Sequence, residues 1–131
     1  MSLSGTSKKK IRRARAKRRP TNTLARKLLS SVPKEQAFAF YLALGVPTGK
    51  YADSLQDFCQ RLLEVEPQSV SFHFEREDFQ NWLREAVGDE ELASELSGLK
   101  GGGLHPEELR SRVYELVKSR CDELSSALEK G

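Results

Sequence analysis

Eleven side chains near the start of the chain carry the first chemistry that residue type and spacing suggest. Lys8, Lys9, Lys10, Arg12, Arg13, Arg15, Lys17, Arg18, Arg19, Arg26 and Lys27 all fall within residues 1–30, which contain no Asp or Glu. Cations clustered in this way neutralise phosphates and release condensed counterions, so they bind DNA or RNA without reading its sequence. If six to eight of them met phosphates, log K against log salt would slope by about −4 to −7. The segment has no aromatic residue, so stacking on bases cannot come from it. A membrane-surface helix would need a face of Leu, Phe or Trp, and between Lys8 and Arg19 only Ile11 offers apolar bulk. The same lack of an apolar face argues against an organelle transit peptide.

Other constellations are weaker. His73 lies between Phe72 and Phe74 with Glu75 and Asp78 close by, the residue types of a general base or a metal site. His73 and Glu75 would also need a Pro-Cys-x-x-Cys partner to make a deaminase site, and the chain has none. Cys59, His73, His105 and Cys121 follow no zinc-binding spacing. A core-edge or helix-capping histidine is the favoured reading, with no metal, cofactor or catalytic residue assigned. Gly45-Val-Pro-Thr-Gly49-Lys50 resembles a phosphate loop but has three residues between its glycines instead of four, and Tyr51 where Ser or Thr binds magnesium. It reads as a structural loop.

The positioning scaffold has to come from a chain of 131 residues, 37% hydrophobic and 31% charged, enough for one compact domain. No apolar run approaches the roughly 20 residues that cross a bilayer. Lys8 to Arg19 is polar where a secretory leader would be apolar, and two cysteines close at most one disulfide. A cytoplasmic protein in a reducing compartment is expected, compatible with association with the nucleoid or a ribonucleoprotein. Outside residues 1–30 the chain holds eleven basic and all 19 acidic groups, a balance of −8. A basic arm is joined to an acidic body.

Residues 1–22 are expected to be a disordered arm, because so many like charges repel and little apolar surface is available to offset ordering. The segment from Lys8 to Arg19 is compatible with a helix against an anionic partner, ending before Pro20. Residues 23–131 are expected to fold. Thr21, Asn22 or Thr23 caps a short helix with Leu24, Leu28 and Leu29 on one face. Residues 38–44 alternate in the manner of an extended segment, and residues 45–49 read as a loop. Leu55, Phe58, Cys59, Leu62 and Leu63 form a helical stripe capped by Asp53 or Ser54. Residues 67–76 favour a short helix, with a strand paired to 38–44 as the alternative. Asp78 is expected to cap a helix with the stripe Phe79, Trp82, Leu83, Ala86 and Val87, in which Trp82 anchors the core through its ring and an indole hydrogen bond. Gly88 then closes that helix in a left-handed conformation, and Asp89 starts the next. A long helix from Pro106 to about Leu128 presents Leu109, Val113, Leu116, Val117, Leu124 and Leu128, with a break near Cys121. The fold class is mainly α: a single-domain bundle of about five to six helices with a short extended segment.

Residues 33–128 resemble a family of small archaeal and bacterial domains of unknown function. The likeness rests on Phe38-Ala-Phe-Tyr41, Pro47-Thr-Gly-Lys-Tyr-Ala52, Ser54-Leu55-x-x-Phe58, Ser69-Val-Ser-Phe-His73-Phe74, Asp78-Phe79-x-x-Trp82, Gly88-Asp-Glu-Glu-Leu-Ala93 and Glu107-Glu-Leu-Arg110. It implies a mostly helical domain and carries no substrate, cofactor or catalytic residue. The basic arm lies outside it.

A helix-turn-helix made of residues 79–87 and 89–97 is rejected. Asp78, Glu85, Asp89, Glu90, Glu91 and Glu95 stand there against Arg84 alone, and phosphates would be repelled. The functional expectation is a non-catalytic protein that holds nucleic acid, DNA or RNA, through the eleven cations named above, while the acidic body meets other proteins. The alternative is a protein-interaction module that self-associates or binds a partner near the last helix, its tail serving only to target or solubilise it.

Overall fold

In the computed structural model, residues 20–130 are described; the arm through Arg19 lies outside the described residues. The described residues are mostly helical, with six α-helices and one small antiparallel sheet among them. In order these are α1 (Asn22–Leu28), β1 (Phe38–Ala43), β2 (Val46–Ala52), α2 (Leu55–Glu64), α3 (Pro67–Glu75), α4 (Asp78–Trp82), α5 (Glu90–Ser97) and α6 (Pro106–Lys130). A 3-10 turn at Lys34–Gln36 precedes β1, and a π-turn at Leu83–Val87 continues α4.

Local chemistry explains most of the boundaries. Thr21 Oγ1 accepts from the Leu24 amide at 3.1 Å and Ser54 Oγ from the Asp57 amide at 3.1 Å, capping α1 and α2. Asp89 caps α5 by accepting from the Leu92 amide at 3.1 Å. Gly88 adopts φ 91°, and the amides of Gly88 and Asp89 both reach the Leu83 carbonyl at 2.7 Å, which closes the π-turn. Asp78 does not cap α4. Glu77 occupies that position at φ 64°, and the Asp78 carboxylate turns back to His73 and Arg76.

The loop reading of residues 45–49 is overturned. The turn is confined to Leu44 and Gly45, and residues 46–52 form β2, hydrogen-bonded to β1. Pro47 is tolerated because a two-stranded sheet has only edge strands. Register slips between the Ala39–Tyr51 and Tyr41–Pro47 pairs, bulging β2, and Thr48 Oγ1 donates to the Phe40 carbonyl at 2.8 Å across the gap. The strand alternative for residues 67–76 is also overturned: α3 buries Ser69, Val70, His73 and Phe74, a helical spacing.

Helix α6 is the spine, with α1, α2, α3 and α5 packed on it, while β1 lies on α3 and β2 on α2. The core is aromatic at one end. The Phe38 ring centre lies 4.9 Å from Phe40, 5.2 Å from Phe79, 5.7 Å from Trp82 and 5.8 Å from Phe58. Trp82 donates its indole N–H to the Gln36 carbonyl at 2.7 Å, as expected of a core anchor. Two expected stripe members face solvent instead. Leu24 is exposed while Ala25 packs inward, and Leu63 is exposed beside buried Leu62.

The expected break in the α6 seam has a specific cause. Arg120 takes a core-facing position and forks onto Asp89, with Nε to Oδ2 at 2.9 Å and Nη2 to Oδ1 at 3.1 Å. Asp89 is 1% exposed and Arg120 5%. Burial opposes the guanidinium charge, but Asp89 and Glu123 more than offset it, so Arg120 is a stronger base than usual. Removing one member leaves the other charge buried and unpaired. Arg120→Met should therefore cost about 3–5 kcal/mol in urea unfolding. Adding Asp89→Asn, which keeps an oxygen for the Leu92 amide, should recover part of that loss.

Candidate functional site

The described residues place the histidine constellation at the junction of β1, α3 and the turn before α4. Ser69 and His73 are one helical turn apart on α3 and both are buried. Tyr41 turns its backbone away from β2 and towards them. Its amide donates to His73 Nε2 at 2.8 Å, and its carbonyl accepts from Ser69 Oγ at 2.7 Å. Two side chains of a helix thus occupy the place of a third strand along the outer edge of β1.

The other ring nitrogen is also engaged. His73 Nδ1 lies 2.8 Å from Asp78 Oδ2, and because Nε2 accepts, the proton sits on Nδ1 and is donated to the carboxylate. Asp78 Oδ2 accepts in addition from Arg76 Nε at 3.0 Å. The Arg76 guanidinium lies over the Phe72 ring, 5.1 Å from its centre. Burial makes His73 harder to protonate than an ordinary histidine, although Asp78 pulls the other way. With both nitrogens committed, the ring is the core-edge histidine that the sequence favoured, and neither nitrogen is free to take a proton from a ligand. Among the described residues no group of three or more His, Cys, Asp and Glu side chains is placed to hold a metal.

A cleft of about 520 Å³ opens beside this junction. Tyr41, Leu44 and Phe72 contribute apolar lining, and Arg76, Asp78 and Asn81 polar groups. Sequence reasoning missed Ser69, Arg76 and Asn81. The signal for the first was the four-residue spacing from Ser69 to His73, which acquires meaning only once residues 67–75 are known to be helical.

Of the eleven cations expected to hold phosphate, Lys8, Lys9, Lys10, Arg12, Arg13, Arg15, Lys17, Arg18 and Arg19 lie outside the described residues. Arg26 and Lys27 are exposed in the last turn of α1. Arg26 Nη2 donates to Asn22 Oδ1 at 2.9 Å, and Lys27 runs beside Gly88 at the end of the π-turn. Helix α1 is fixed to the body by Ala25 and Leu28, buried against α6. Lys50, in the segment weighed as a phosphate loop, pairs with Glu64 at 3.3 Å. Cys59 and Cys121 are buried free thiols. Burial raises the first and pushes the second up to about 12, so neither is a ready thiolate.

A family model matches residues 9–118. The chain belongs to that family, a family of unknown function (DUF5752). Membership agrees with the resemblance read from the sequence, but the boundaries differ. The match starts at Lys9, so most of the basic segment belongs to the family's span instead of lying outside it. It ends at Lys118, two residues before Arg120. Neither the comparison with curated proteins nor that with solved structures found a significant match. No helix among the described residues is long and apolar enough to cross a membrane.

Protonation of His73 must break its bond to the Tyr41 amide. The folded state binds this proton more weakly than the unfolded chain, whose histidine titrates near 6.5. The contribution is therefore complete above about pH 6.5 and drains as the pH falls through the lower folded value. His73→Gln should lower stability by about 1–3 kcal/mol at neutral pH, because glutamine cannot serve both Tyr41 and Asp78. It should also remove that component of the acid-side loss, as read from urea midpoints taken between about pH 7.5 and pH 5.

Proposed function

We propose that this protein holds nucleic acid through the phosphates, using its basic N-terminal segment, and that the folded body acts without catalysis. The observation that carries this reading is the segregation of charge: eleven cations and no carboxylate in residues 1–30, against a balance of −8 in the remainder. Two further features support it. Arg26 and Lys27 extend the positive run onto a helix anchored by Ala25 and Leu28, so a bound backbone would be coupled to the body. Glu90, Glu91 and Glu95 on α5 turn phosphates away from that side and keep contact on the basic segment. Backbone attraction of this kind is common to DNA and RNA.

The decisive measurement is affinity for duplex and single-stranded probes at several salt concentrations, with and without residues 1–20. The intact chain should show a log–log slope of about −4 to −7, and truncation should flatten it to about −2 or less. An unchanged slope after truncation would falsify the reading.

A second reading has its own observation. Leu44, Val46 and Tyr51 are exposed on the hairpin, 78%, 45% and 59% accessible respectively. They favour protein contact there, on the hairpin and not on α6, where the sequence had placed it. Under this reading sedimentation shows association that Leu44→Ser with Val46→Thr abolishes, and a monomer at all concentrations counts against it.

A further inference from the structure

We propose that the cleft between β1 and the turn joining α3 to α4 is a nucleobase site, taking one unpaired base of a single strand. The proposal rests on the nucleic-acid reading for its setting, but its own evidence is the chemistry of the cleft. A base is flat, neutral and edged with hydrogen-bond donors and acceptors. A volume of about 520 Å³ accommodates it with part of its sugar.

Each part of the cleft answers one property of such a ligand. The Arg76 guanidinium lies over the Phe72 ring, 5.1 Å from its centre, and is fixed through Nε by Asp78, so a planar cation is held in place beside the cleft for a second ring. Its terminal nitrogens have no hydrogen-bond partner among the described residues, and half of the side chain is exposed. Asp78 uses Oδ2 for both His73 and Arg76, which leaves Oδ1 as an acceptor for an exocyclic amine or a ring N–H. Asn81 is exposed at the same rim and brings both a donor and an acceptor. Tyr41 and Leu44 also line the cleft.

Charge decides between a base and the obvious competitor, an apolar carboxylate. Asp78 already neutralises Arg76, and Glu75 and Glu77 flank it in sequence. A full negative charge gains little in such a site, whereas a neutral heterocycle gains hydrogen bonds on both edges. The basic segment lacks aromatic residues and is confined to the backbone. The cleft supplies the stacking surface that the segment cannot.

The test compares the full chain on two single strands of about twelve nucleotides, one of cytidines and one an abasic sugar–phosphate backbone of equal length. Phosphate contacts alone treat the two alike. With a base in the cleft, the cytidine strand should bind on the order of tenfold more tightly, and this ratio should persist as salt is raised. Arg76→Met and Asn81→Ala replace exposed side chains and should each bring the ratio close to one without changing the abasic affinity. Equal binding of the two strands by the unaltered chain, or a ratio that survives both substitutions, would overturn the proposal. Cytidine-strand binding that needs Arg76 and Asn81, with no binding of the abasic strand by the unaltered chain, would instead sink the phosphate reading and leave the cleft standing.

Discussion

The hydrogen bonds that tie the Tyr41 backbone to Ser69 and His73 are the constraint on which the rest of this structure turns. A two-stranded hairpin is marginal in water, because half of its backbone groups lack a strand to pair with. Here α3 supplies the missing edge with two side chains in place of a strand. That requirement fixes the height of α3 against β1, and with it the placement of Phe38 among Phe40, Phe58, Phe79 and Trp82. It also fixes the tautomer of His73 and therefore the direction in which Asp78 faces. Asp78 in turn holds Arg76 at the mouth of the cleft. A structural histidine thus shapes the cleft without offering it either ring nitrogen.

The Asp89–Arg120 pair solves a different problem. An Arg in a helix seam is expensive, and apolar residues of similar volume would pack there at no electrostatic cost. What the pair provides is registry. Asp89 accepts from the Leu92 amide and from two guanidinium nitrogens, so the start of α5 is tied to one turn of α6. The Gln80 amide, buried with no hydrogen-bond partner among the described residues, shows the opposite condition, and an unpaired group of that kind costs about 1–3 kcal/mol.

Local signals made much of the fold legible in advance. Thr21, Ser54, Gly88, Asp89 and Pro106 mark helix ends through caps and backbone conformations that depend on neighbouring residues alone. The same holds for the apolar stripes, whose period needs no tertiary information. Strand β2 was missed because Pro47 and Gly49 are turn residues in most contexts, and only its pairing with β1 makes residues 46–52 a strand. Asp78 has the residue type and position of a cap, yet a buried histidine five residues earlier competes for its carboxylate and wins. The Arg120 partner was invisible for the same reason: a break in periodicity reveals that a position is polar, not what lies opposite it 31 residues away in the chain. Of the cleft, only His73 and Asp78 stood out beforehand, because the others acquire a role through juxtaposition.

Charge segregation and the neutral cleft make sense together if backbone attraction and base contact are separate tasks. A polycation draws in any nucleic acid over about a Debye length and holds duplex and single strand alike. Placing base recognition within that same positive field would add little discrimination, because the phosphates already dominate there. A site on the acidic body, in which Arg76 is balanced by Asp78, contributes almost nothing to long-range attraction. It can favour only a strand whose base is free to leave its stack, since a paired base hides the edges that Asp78 and Asn81 would meet. Under that division of tasks, repulsion between the acidic body and the phosphates would reinforce the selection, because a duplex brings two charged backbones to the surface whereas a single strand brings one.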